Sequence, residues 1–484
     1  MRRLAFLAFV AVPLALGGCA LQSPPKADEI RAEALPHMTP PAAWTAGAVD
    51  PGAVRDNWLA SFGDPGLDSL VREALVYNAD LRIAAGRVEQ AAAYAKLAGA
   101  AIYPAVNLLA HGGGKMGGDG SGLSGVGLFA SWELDLWGRV RYERAAGVQQ
   151  YEATVLDAEY ARQSIAAMVA KSWLLAIESR LALGIANDVV RASERSVGLA
   201  GDRLRVGRGD EYDVSLAQAN TDSARDAARQ LALGYTQAVR ALETLVGRYP
   251  AALLAVPTAL PRVPGATPAG VPAELLERRP DLIAAERRVA AAFNRVGEAK
   301  AARLPKISLT ASLTSVESSL FVLQSHSNPV ASLGANILAP IFNGGALEAQ
   351  VEIRSAEQKL AVLDYGRVAQ RAFGEVEAAL AGAIAADERQ VNLISAVNSN
   401  ARTLELANVR FNVGSGDLRA VLQQNVALYG ARTNLLHAQS EQLVQRVNLY
   451  LALGGSFEPA PPPPATTNDG DDTPERRTAS AGAR

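Results

Sequence analysis

Strict alternation of apolar and polar residues marks short stretches of this chain. In KISLTASLT (306–314), Ile307, Leu309, Ala311 and Leu313 alternate with Lys306, Ser308, Thr310, Ser312 and Thr314. Over 126–137, Val126, Leu128, Ala130, Trp132, Leu134 and Leu136 face one way, and Gly127, Phe129, Ser131, Glu133 and Asp135 the other. A period of two predicts β-strands, and weaker alternation predicts two more at 103–111 and 330–341. Elsewhere the period lengthens. Val148, Val155, Val169, Ala176, Leu183, Val190, Val197 and Leu204 share one seven-residue register, broken by Arg162. Val362, Ala369, Val376, Ala383, Val397, Leu404 and Phe411 repeat it 207 residues on, broken by Gln390. This is coiled-coil spacing. No proline lies between Pro104 and Pro250 or between Pro340 and Pro459, so nothing interrupts these helices. Each would reach about 100 Å.

The chain is internally duplicated. YNADLRIAAGRV (77–88) matches RRPDLIAAERRV (278–289) at an offset of 201, and RVGRGDEYDV (205–214) matches NVGSGDLRAV (412–421) at 207. A second helix resumes after each glycine turn, so each turn is the tip of a long helical hairpin. The predicted organisation is a first repeat at 58–265, with a strand hairpin at 103–137 and a tip near 207. A second repeat follows at 266–456, with a strand hairpin at 305–342 and a tip near 414.

Strands of about ten residues with one apolar and one polar face suit an outer-membrane barrel with a wet lumen, lined here by Glu133, Asp135, Ser308, Thr310 and Ser312. A soluble two-layer sheet is the alternative. Four strands cannot close a barrel, which needs about eight or more, so a membrane barrel would have to be shared between chains.

Length and charge narrow the class. The chain has 484 residues, 49% of them hydrophobic, and a net charge of −2, which gives no electrostatic case for nucleic acid. The opening MRRLAFLAFVAVPLALGGC has two arginines, an apolar run too short to span a bilayer, and a small Gly-Gly pair before the only cysteine. It predicts a signal peptide over 1–18. Residues 19–57, rich in Pro and Ala, are expected to be extended, and the Pro-rich polar tail at 457–484 to be disordered.

The stretch WLASFGDPGLDSLVREALVYNADL (58–81), RRPDL (278–282), the junctions WELDLWGR and APIFNGG, and the paired VG turns resemble TolC-type outer-membrane efflux factors, closest to the OprM- and NodT-like lipoproteins. The resemblance spans nearly all of 58–455. It implies a mainly α protein with membrane β: a homotrimer whose four strands per chain make a shared 12-stranded barrel, continued by a long coiled-coil α-helical barrel across the periplasm. It also implies lipidation of Cys19, with no cofactor beyond that covalent lipid, and delivery to the outer membrane. The implied partners are a periplasmic adaptor and, through it, an inner-membrane transporter of the resistance-nodulation-division class. The adaptor-docking residues would be Val206, Gly207, Gly209, Val413, Gly414 and Gly416.

Residue chemistry offers little for catalysis. His37, His111, His326 and His437 are scattered, and HGGGKMGGDGSG (111–122) lacks the spacing of a phosphate loop. No nucleotide motif or apolar helix with a buried ionisable residue suggests energy coupling. A passive exit duct fits better than an enzyme. An exit duct for type I protein secretion and a structural coiled-coil lipoprotein are the alternatives.

At the tips, Asp210 and Asp417 are expected to cap the following helices. Asp213 matches an acidic family position in a closing network. Phe411 keeps that network's ring without its hydroxyl, Gly416 replaces its arginine, and Ala420 and Gln423 stand where TolC has its bore aspartates. Asp213→Ala is therefore expected to loosen the closed state less than in relatives with the full network. Arg208, Glu211 and Arg419 are candidates for a different closing network.

Overall fold

A computed structural model describes residues 21–47, 52, 54, 56–111, 123–265, 268–318 and 329–458. The signal peptide, Cys19, the loop at 112–122, His326 and the tail beyond 458 lie outside the described residues. In chain order the elements are α1 (Ala27–Ala34), α2 (Pro65–Tyr77), α3 (Ala79–Ala100), β1 (Ala105–His111), β2 (Leu123–Leu134), α4 (Arg139–Arg205) and α5 (Glu211–Leu245). The second half adds α6 (Leu275–Arg278), α7 (Pro280–Ala301), β3 (Lys306–Ser318), β4 (Val330–Leu338), α8 (Ala346–Asn412) and α9 (Leu418–Ala452).

The duplication is nearly exact in length. Helices α3 and α7 have 22 residues each, α4 and α8 have 67, and α5 and α9 have 35. At about 1.5 Å per residue the longest reach about 100 Å. Glycines with positive φ punctuate both copies alike: Gly138 and Gly345 precede the long helices, Gly207 and Gly414 end them, and Gly247 and Gly454 end the return helices. Only glycine holds this conformation without strain from a Cβ.

The strands form one antiparallel sheet in the order β1-β2-β3-β4, and β2 pairs with β3 across the repeat boundary. Register places Val106, Leu108, Leu128, Ala130, Trp132, Leu309, Leu313, Leu333 and Ile337 on one face. Asn107, Ser131, Glu133, Ser308, Thr310, Ser312, Ser332 and Asn336 share the other. The strands end earlier than the alternation suggests. Asp135 follows β2 and Ile341 follows β4, because the chain turns there into the long helices. Trp132 and Trp137 donate their indole N–H to the carbonyls of Ile102 (2.7 Å) and Pro305 (2.8 Å), tying this end of the sheet to the helix ends.

Below the sheet, α3, α4, α7 and α8 pack side by side in that order, the same order as the strands. Further down, α5 pairs with α4, α4 with α9, and α9 with α8. Two apolar cores fill the middle of the molecule. One joins α2, α4, α5 and α9 around Trp58, Trp173 and Leu242; the other joins the amino-terminal segment, α7, α8 and α9 around Trp44, Leu282 and Tyr365.

Two boundaries differ from expectation. The lead-in is not wholly extended, since ADEIRAEA, rich in strong helix formers, makes α1, and Ile30 is buried against the second core. This segment then straps the body: Trp44 donates to the Ala269 carbonyl (3.1 Å), and Glu377 accepts from Thr45 and Ala46 N–H (2.9 and 2.8 Å). The described chain also runs past 456. Phe457 is buried beside Trp58, and Asn57 N–H donates to the Glu458 carbonyl (3.1 Å).

At mid-height each return helix meets the next short helix through one side chain. In the first copy Asn78 caps α3 by accepting from Leu81 N–H (3.1 Å) and donates to the Leu245 carbonyl (2.8 Å) at the end of α5. In the second copy that place belongs to Arg279 of the RRPDL motif. Fully buried, it donates to both carboxylate oxygens of Asp281 (3.0 and 2.8 Å), to Glu375 (2.7 Å), to the Ala452 carbonyl (3.1 Å) and to the Tyr160 hydroxyl (3.3 Å). Burial opposes its charge, yet the bonds to Asp281 outweigh that and hold its pKa above the ordinary arginine value.

Candidate functional site

Two regions carry functional geometry: the two-faced sheet and the paired tips at the far end of the long helices. On the polar face of the sheet, Ser312 and Ser332 hydroxyls lie 2.7 Å apart and Thr310 donates to the Gly334 carbonyl (3.4 Å). Ser308, Thr310 and Ser312 share that face with Glu133. Both acids are ion-paired. Glu133 holds Arg139 in a two-pronged pair (2.9 Å each) and Lys306 at 2.7 Å. Asp135 sits off the strand and accepts from Val140 and Arg141 N–H (3.2 and 3.0 Å), capping the start of α4. A period-two pattern could not show these pairings, in which each acid is matched to a base that follows it along the chain.

Each tip is built the same way. Arg208 N–H reaches the Arg203 carbonyl (2.8 Å) and Gly207 N–H the Leu204 carbonyl (3.0 Å); Ser415 and Gly414 repeat this onto Arg410 (2.9 Å) and Phe411 (3.1 Å). These paired bonds close a helix with a left-handed glycine, at φ 70° for Gly207 and 82° for Gly414. The second glycine serves close approach. A Cβ at Gly209 would stand 3.1 Å from Leu204 N, and one at Gly416 3.0 Å from Phe411 N. Asp210 then accepts from Asp213 N–H and Asp417 from Arg419 N–H, both at 2.9 Å, which starts the return helices. Val206 and Val413 are 68% and 72% exposed, so both tips offer bare valines beside their glycines.

Two arginine–aromatic contacts join the tips across the protomer. Arg203 lies 4.3 Å from the Phe411 ring centre and donates to the Phe411 carbonyl (3.1 Å). Arg419 donates to the Tyr212 hydroxyl (2.6 Å). Phe411 is buried with Ala200, Ala217, Leu418, Val421 and Leu422 in a small tip core. Of the candidate closing residues, Phe411 and Arg419 thus bridge the hairpins. Arg208 and Glu211 are exposed, and their side chains make no ion pair or hydrogen bond among the described residues. Asp213 has its pKa raised, first by burial and then by Asp210 and Asp417, against the pull of Arg203 and Arg419. Sequence reasoning missed Arg203 and Tyr212. The available signal was that Tyr212 and Arg419 occupy equivalent places in the two copies, 207 residues apart, with complementary chemistry.

A long-helix body ending in paired tips at one end and a two-faced sheet at the other is shared with known proteins. The sequence matches the outer membrane efflux protein family over residues 70–248 and 271–455, most of both repeats. The chain belongs to that family. This outer membrane efflux protein is 31% identical to the pyoverdine export outer membrane protein OpmQ of Pseudomonas aeruginosa, over 93% of this chain and 97% of OpmQ. It is also 31% identical to the cation efflux system protein CusC of Escherichia coli, over 92% and 98% of the two chains. Its fold superimposes on the outer-membrane channel OprN with a TM-score of 0.79 at 28% identity, covering 87% of this chain and 98% of that one. The efflux protein therefore has the TolC-like fold and is an outer-membrane efflux channel. Among its described residues no helix is long and apolar enough to cross a membrane.

Proposed function

We propose that three copies of this chain close a twelve-stranded barrel and a continuous helical tunnel, forming the passive exit duct of a tripartite efflux pump. The observation that carries this is the matched order of the sheet β1-β2-β3-β4 and the layer α3, α4, α7, α8 beneath it, both open at first and last members. Open strand edges are not stable in hydrocarbon. Side chains along the outer helices agree: Ile83 and Leu97 on α3 and Leu360 and Leu363 on α8 are more than half exposed in a single protomer.

The amino-terminal strap supports a lipid anchor on Cys19. Leu21 lies against Gly138 at the foot of the sheet, where an added Cβ would meet its Cδ2 at 2.6 Å, and Gln22 N–H donates to the Tyr142 hydroxyl (2.9 Å). Cys19 is two residues upstream of Leu21 in the sequence. The exposed valines and glycines of the tips fit docking of a periplasmic adaptor that links the duct to an energised inner-membrane transporter. OpmQ and CusC bear names for different cargo, pyoverdine and cations, at equal identity to this chain. Cargo choice accordingly belongs to the pump, and the duct passes small solutes of several kinds.

Purified full-length protein in planar bilayers tests the duct. The expected result is stepwise conductance from a trimeric species, larger once the tip contacts are removed. A pure trimer that stays silent with those contacts removed overturns it.

A further inference from the structure

Beside the strap, a groove of about 490 Å³ opens between α4 and residues 21–24. Its polar lining is Gln22, Ser23, Arg141, Arg144, Gln149 and Asn294, and no acidic residue is among the described residues that line it. We propose that this groove binds the headgroup of an anionic phospholipid from the periplasmic leaflet of the outer membrane.

Depth argues for this first. The sheet ends at Leu134 and the indoles of Trp132 and Trp137 mark its foot, where aromatic residues sit in membrane barrels. Arg141 and Arg144 lie two and five residues into α4, hence about 3 and 8 Å below its start. A headgroup layer is about 5–8 Å thick on each side of the hydrocarbon, so both guanidinium groups fall within or at the rim of that layer.

Charge argues for it next. Asp135 accepts from Arg141 Nε (3.1 Å) and compensates much of that cation. Arg144 is exposed and makes no hydrogen bond or ion pair among the described residues. Its stem lies along α3, 3.9 Å from where a Cβ on Gly99 would stand, which leaves its head for a phosphate. Gln149, whose oxygen accepts from Arg287 (3.5 Å), keeps its amide N–H groups for the glycerol end. The strap wall is fixed by Gln22 on Tyr142, whose ring in turn packs where Gly297 has no side chain.

The inference rests on the outer-membrane placement of the sheet, and the test keeps the two apart. Full-length protein in detergent is mixed with phosphatidylglycerol or phosphatidylcholine of identical acyl chains, and native mass spectrometry counts retained lipid per assembly. Wild type is expected to prefer phosphatidylglycerol. Arg144→Gln should reduce that preference about fivefold, the effect of one surface cation on an anionic membrane, while Arg144→Lys keeps most of it. Arg191→Gln, an exposed arginine far down α4, should change nothing. Equal retention of both lipids by wild type, a preference surviving in Arg144→Gln, or an equal loss in Arg191→Gln overturns the site. Conductance of Arg144→Gln in planar bilayers is expected to match wild type, so a failed lipid preference leaves the duct standing.

Discussion

The two copies of the repeat solve one joint in two ways. Asn78 and Arg279 occupy equivalent positions 201 residues apart, and each donates to the last carbonyls of its return helix, Leu245 and Ala452. Asn78 does so with a neutral amide that also caps α3. Arg279 does so with a buried cation whose partners come from α4, α7, α8 and α9. The surroundings differ to match. Helix α7 is walled in along most of its length, whereas Leu81 is the one buried residue of α3. The enclosed copy uses an ionic hub to lock helices from both repeats, and the outer copy keeps a simple cap and leaves its apolar residues for a neighbour. Identical backbone lengths therefore coexist with divided labour.

The sharpest way to break this comparison is to remove both side chains in turn. Arg279→Ala leaves Asp281 buried without its main partner and should cost about 3–5 kcal/mol. Asn78→Ala should cost about 1 kcal/mol, as for a lost cap. Chemical denaturation of the purified protein checks the pair, and equal losses would show the hub to be no more than a cap.

The tips offer the next largest effect. Arg203→Ala removes a ring contact and a charged hydrogen bond, together worth about 2 kcal/mol, and should raise the open probability in planar bilayers. Arg419→Ala should act less, under about 1 kcal/mol, because its contact with Tyr212 is exposed. Tyr212 and Arg419 are repeat-equivalent, so the exchange Tyr212→Arg with Arg419→Tyr should restore much of what either single change loses. Additive losses would show that the contact does not join the copies.

The smallest effect is the dependence on pH. The folded tip holds the pKa of Asp213 above its ordinary value, so the tip as folded binds that proton more tightly than a parted one. Closure should strengthen as pH falls through a window just above the usual aspartate value of about 3.9, and weaken above it. Asp213→Asn should remove the dependence and leave neutral-pH leakage unchanged or lower. An Asp213→Asn channel that leaks more at neutral pH would show that the ionised carboxylate helps to close the tip.

Much of this was legible in the sequence because it rests on local rules. Gly207 and Gly414, the caps Asp210 and Asp417, and the strand faces of β2 and β3 follow from turn chemistry and period. The seam along α4 was legible as spacing but not as burial: Val169 and Ala176 are fully buried, while Val155 and Leu204 are 39% and 41% exposed. Periodicity reports which face a residue occupies, and a single protomer supplies only some of the partners. Arg279 was visible as part of a motif without a role, since its partners lie far along the chain. Helix α1 was hidden by the prolines around it, and Asp135 by an alternating pattern that runs on to Leu136, past the end of β2 at Leu134.

The open edges of the sheet carry a genetic consequence. A protomer cannot seat its four strands in hydrocarbon with unpaired backbone groups on both sides, so insertion is all or none for a closed ring. In a cell making equal amounts of sound and edge-defective chains, with three per ring, only about one ring in eight would be wholly sound. A defective allele on either edge strand should then behave as dominant.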